Sequence, residues 1–145
     1  MQREILFRGI CKTTKSWIYG YYFKTPLTDE ATGSKSEDGW FFLAGKERYC
    51  ISRNGCVYEV DPYTVGQFTG HYDKNDVMIF DHSIVRVGNK YSGLVGWDKH
   101  DAAWIVWTDA SKQVRYADLG SYNDGKYIEV IGNLTDNPEL LEVEK

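Results

Sequence analysis

Trp17-Ile18-Tyr19-Gly20-Tyr21-Tyr22-Phe23 is the stretch that decides the fold. Rings stand at 17, 19, 21 and 23, with Ile18, Gly20 and Tyr22 between them. A period of two sends alternate side chains to opposite faces of a strand, so this run predicts a strand with one aromatic face. Ahead of it, residues 4–10 read as a partner strand, with Ile5 and Phe7 on one face and Leu6 and Arg8 on the other. The polar Cys11-Lys12-Thr13-Thr14-Lys15 is short enough to be the turn, so residues 3–23 predict an antiparallel hairpin.

The same period continues outward from that hairpin. Residues 25–39 gather Pro26, Gly33, Ser34, Ser36 and four acids, and predict an exposed loop. Short β-type runs follow at 40–43, 49–52 and 57–60. Asn54-Gly55 joins the last two and accepts the positive φ of a type I′ hairpin turn. Further runs lie at 77–80, 84–87, 91–97, 103–107, 114–119 and 127–131. One short helix is expected at 138–143, with Asn137 as its cap and Pro138 at its first position. About ten short strands joined by polar turns predict a mainly-β barrel or sandwich. Trp104 and Trp107 fall three apart in one run, so they point to opposite faces and cannot fill the same core.

Composition bounds the function classes. A chain of 145 residues with 42% hydrophobic and 15% aromatic residues has the material for one domain's core. A net charge of −4 argues against a protein that coats nucleic acid with positive charge. The charge is uneven, however: residues 1–24 net +4 and residues 121–145 net −4. Met1-Gln2-Arg3-Glu4 is followed by no apolar leader, and no long apolar run occurs. The expectation is a soluble protein of a bacterial cytoplasm, without a membrane partner. Three cysteines, Cys11, Cys50 and Cys56, match no zinc or redox spacing. A Cys50–Cys56 bridge is conceivable across a hairpin, but a reducing compartment disfavours it, and buried thiols are the expectation.

Three segments, in order, carry a family resemblance. The centre reads Pro62-Tyr-Thr-Val-Gly-Gln-Phe-Thr-Gly70, then Asp73-Lys74-Asn75, then Ile79-Phe80-Asp81-His82-Ser83-Ile84-Val85. The N-terminal segment is Arg3-Glu4-Ile5-Leu6-Phe7-Arg8-Gly9 with Trp17-Ile18-Tyr19-Gly20. The C-terminal one is Ile128-Glu129-Val130-Ile131-Gly132-Asn133 with Asn137-Pro138-Glu139-Leu140-Leu141. Together they resemble the YopX family of phage and prophage proteins. Its central signature runs T-V-G-Q-F/Y-T-G, D-K-N-G, I-F/Y-E-G-D-I-V. Asp76 stands here where the family has Gly, and His82-Ser83 where it has Gly-Asp. Asp tolerates the left-handed conformation that Gly supplies, so Asp76 is a mild change and His82 a larger one. The resemblance implies a phage or prophage protein, one YopX-like domain over residues 1–145. It would have an N-terminal β hairpin subdomain at about 1–60 and an SH3-like C-terminal barrel at about 61–145. It carries over no activity, cofactor or site residue.

Candidate chemistry is sparse. Asp73, Asp76 and Asp81 suggest a metal, but a calcium loop needs Glu at its twelfth position, and Ile84 stands there; a turn with a solvated strand edge is the expectation. His71, His82 and His100 lie apart in loop-like contexts, and neither a nucleophile elbow nor a phosphate loop occurs. The expectation is therefore no enzyme, no catalytic or metal-binding residue and no cofactor. The interaction surface singled out is Arg8, Lys12, Lys15, Trp17, Tyr19 and Tyr21. It suits a subunit interface of a homo-oligomer, or contact with a phage or host protein. The alternative is a platform for single-stranded nucleic acid, whose bases stack on rings while cations follow the phosphates.

Overall fold

β1 (Phe7–Ile10) and β2 (Trp17–Pro26) form the hairpin read from the alternation, with Phe7 opposite Gly20 and Ile10 opposite Trp17. The computed structural model describes residues 5–26, 47–88, 91–122 and 127–142. The expected strand at 40–43 and most of the expected loop at 25–39 lie outside the described residues. Thr25 and Pro26 belong to β2 and not to that loop.

The chain divides into two units, Leu6–Val65 and a second that joins Met1–Ile5 to Gly66–Lys145. In the first, β3 (Glu47–Arg53) and β4 (Cys56–Glu59) extend the hairpin to four antiparallel strands in the order β4-β3-β2-β1. Asn54 and Gly55 turn the β3–β4 hairpin with φ of 50° and 81°, as an Asn-Gly turn should. The inward residues of β2 set the packing. Ile18 joins Cys11, Ile51 and Val60 in a buried core, against which Tyr22, Tyr49, Tyr58 and Val65 lie. Gly20 is needed there because a Cβ would run into the Ser52 carbonyl of the neighbouring strand. A 3-10 turn at Pro62–Thr64 closes the unit: Asp61 accepts the Tyr63 N–H, and the Thr64 hydroxyl accepts the Ile10 N–H at 2.8 Å.

The second unit holds a hairpin and a five-stranded sheet. The hairpin pairs β5 (Gly66–Tyr72) with β6 (Met78–Phe80). The sheet contains β7 (Ser83–Val87), β8 (Tyr91–Asp98), β9 (Ala103–Trp107), β10 (Arg115–Asp118) and β11 (Ile128–Asn133), in the order β10-β9-β8-β7-β11. Two short helices, α1 (Leu119–Tyr122) and α2 (Glu139–Glu142), follow β10 and β11. The core lies on one face of this sheet, where Val85, Val87, Val95, Val106 and Ile128 meet Ile79 and Leu119. The fold is mainly β, as expected. The sheet ends on two different strands, β10 and β11, so no closed barrel forms among the described residues.

Asp73 corrects one expectation. It is 2% exposed and not a solvated turn residue. One carboxylate oxygen accepts the Asn75 and Val77 N–H groups, and the other accepts Val130 N–H from β11. The Lys74 N–H donates to Ile128 O beside it, and Lys74 Nζ pairs with Glu129 at 2.9 Å. A buried carboxylate needs such donors, and the β5–β6 turn and β11 supply them together. Asp76 and His82 adopt φ of 61° and 70°, so both residues that stand where the family has Gly take the left-handed conformation. His82 remains tied on both sides, its N–H to Val95 O and its carbonyl to Leu134 N–H.

Candidate functional site

The outward face of β2 is assembled by register. Arg8 lies opposite Tyr19, Ile10 opposite Trp17, Ser52 opposite Tyr21, and Val57 opposite Ser52. Cross-strand partners share a face, so these side chains surround the ring series of β2. Tyr21 is 70% exposed, Tyr19 and Phe23 37% each, and Val57 60%. The strand thus carries apolar side chains on both faces while only Ile18, Gly20 and Tyr22 face the core.

Of the six residues singled out from the sequence, Arg8, Trp17, Tyr19 and Tyr21 come together on this face. The Arg8 guanidinium lies 4.7 Å from the Trp17 ring centroid, within cation–π range. Lys12 and Lys15 sit in the β1–β2 turn, both exposed. Lys12 Nζ pairs with Glu59 at 3.2 Å, so its charge is already compensated. Lys15 has φ of 59°, and its N–H donates to Cys11 O. The three thiols are free: Cys11 and Cys50 are buried as expected, whereas Cys56 is exposed. Cys50 lies opposite Glu59, not Cys56. The Thr14 backbone and hydroxyl lower the Cys11 pKa, while burial raises that of Cys50.

A second place was not singled out from the sequence. In the second unit, a cleft of about 620 Å³ lies between the β8–β9 turn and the β9–β10 loop. Asp98, Lys99 and His100 line it from the first, Ser111, Lys112 and Gln113 from the second, with Trp97, Trp107 and Arg115 from β8, β9 and β10. Trp107 is buried, its Nε1–H donating to Gly96 O at 3.3 Å, and the Arg115 guanidinium lies 5.3 Å from its ring centroid. Arg115 is held by Asp98, by Asp101 at 3.0 Å and by Asp118 at 3.5 Å. The His100 N–H and then Arg115 hold the Asp98 carboxyl below its ordinary value, against the opposing effect of burial. Trp97, which also lines the cleft, pairs with Trp104 in register, and their rings meet edge to face at 5.2 Å. Only the cluster of charges between 98 and 115 could have signalled the cleft, and its residues come from two separate loops.

The three histidines do not converge. His71 lies in β5, His82 beside Asp81 at 3.7 Å, and His100 in the turn after β8. Among the described residues no group of three His, Cys, Asp or Glu could hold a metal ion, and no helix is long and apolar enough to cross a membrane.

No curated protein matches the chain. Among solved structures it is similar to the crystal structure of protein EF1440 from Enterococcus faecalis. The two are 22% identical with a TM-score of 0.48, over 97% of this chain and 99% of that one. The YopX protein family model matches residues 6–142, and the chain therefore belongs to that family.

Proposed function

We propose that this YopX-family chain is a non-enzymatic accessory protein of a phage or prophage. It works in the bacterial cytoplasm by association, through the outward face of β2, with a second copy of itself. The observation that supports this most is the exposed series Tyr19, Tyr21 and Phe23, flanked by Val57. An interface would remove the exposed part of these rings from water, and tyrosine and arginine recur at interface centres. Charge supports a second copy as occupant, since residues 1–24 net +4 and residues 121–145 net −4. The reading as a single-strand nucleic-acid platform has less support, because Lys12 is paired with Glu59 and Arg8 lies on Trp17.

Sedimentation of the double variant Tyr19→Ser/Tyr21→Ser beside the wild type tests the reading. Wild type should sediment as an oligomer and the folded variant as a monomer. Equal sedimentation of both would sink the assignment to this face.

A further inference from the structure

Within the cleft, Lys112 stands out. It is half-buried and has no ion-pair partner among the described residues. Its backbone is left-handed, with φ of 55°, a conformation that costs a residue with a Cβ. Its side chain lies across Gly96, where a Cβ would come within 2.9 Å of the Lys112 Cε and 3.1 Å of its Nζ. Glycine at 96 therefore makes the groove in which the lysine rests.

The carboxylates nearby are otherwise engaged. Asp98, Asp101 and Asp118 hold Arg115, and Asp109 accepts the Ser111 N–H and hydroxyl. Arg115 is thus a wall of the cleft whose single positive charge is outnumbered by the three carboxylates around it. Lys112, with Lys99 and His100 from the opposite loop, brings side chains to the cleft that form no ion pair among the described residues. A half-buried lysine that forms no ion pair among the described residues, set at an open cleft on a left-handed backbone, is the arrangement expected of an anchor for an anion.

The geometry points to this cleft as a binding site for a phosphate group, with Lys112 as its anchor and Lys99 and His100 as the opposing donors. The phosphate can belong to a free mononucleotide or to a nucleic-acid strand, since both present the same oxygens. This inference is separate from association through β2 and survives if the protein proves monomeric.

The test is a nuclear magnetic resonance titration of the whole chain with inorganic phosphate, adenosine monophosphate and a short single-stranded oligonucleotide. The Trp107 indole and the His100 and Lys112 amides report the site. They should shift with all three, and the ligand that binds most tightly identifies the source of the phosphate. Lys112→Arg should keep binding, while Lys112→Gly should weaken it roughly tenfold or more. Lys112→Gly also relieves the left-handed backbone, so it should unfold no more easily than the wild type; a loss of binding there is not a loss of fold. Absence of shifts with every probe, or unchanged affinity in Lys112→Gly, would overturn the site.

Discussion

Val130 N–H donates to Asp73 Oδ2 at 2.8 Å, joining residues 57 positions apart. This bond gives a physical reason for an aspartate at the head of Asp73-Lys74-Asn75. One carboxylate closes its own turn through Asn75 and Val77 and, with its second oxygen, holds β11. Only a short side chain with two acceptor oxygens meets three N–H groups in that space.

Asp73→Ala should accordingly destabilise the second unit by about 2–4 kcal/mol, because three backbone donors lose their acceptor in a site that is almost closed to water. Asp73→Asn, which keeps one acceptor oxygen, should cost less. Urea unfolding measures both, with Asp76→Asn as an exposed control expected to lie near the wild type.

The depressed Asp98 pKa has a sign. A carboxyl whose folded value lies below its unfolded value of about 3.9 contributes stability above that value and loses it as pH falls through the folded one. The wild type should therefore lose stability on acidification below about pH 4 more steeply than Asp98→Asn. Thermal melts of both between neutral pH and pH 3 measure the difference in slope.

Ala102 has φ of 50° in the β8–β9 turn, and no side-chain hydrogen bond can repay an alanine there. Ala102→Gly should raise stability by roughly 0.5–1 kcal/mol, the steric relief exceeding the added freedom of the unfolded chain. The urea midpoint is the readout.

The thiols should differ in reactivity. Cys56 is exposed on β4 and should react with a maleimide within the first minutes, whereas Cys11 and Cys50 are buried and should react only after denaturation. Mass spectrometry should count one adduct on the native chain and three on the unfolded one.

Local pattern made much of the fold legible. The ring series of β2 and the Asn54-Gly55 turn state their geometry within a few residues. Local pattern does not mark β5 as a strand, because Gly66, Gln67, Thr69, Gly70 and His71 mask the buried Phe68. What makes it a strand is tertiary: Phe68 packs on Phe80 with centroids 5.6 Å apart, and the Thr69 hydroxyl donates to Ile79 O at 2.7 Å. Asp73 looked like any turn acid, since the β11 N–H that it accepts comes from far along the chain. The cleft was hidden for the same reason: Lys99 and Lys112 belong to different loops, and Gly96, which gives the lysine its place, carries no side chain to notice.

Association through β2 is tested most directly by the mass of the wild-type protein in light scattering, followed from micromolar to high concentration. Association requires a multiple of 16.7 kDa that falls toward one chain on dilution. A single-chain mass across the whole range would contradict it.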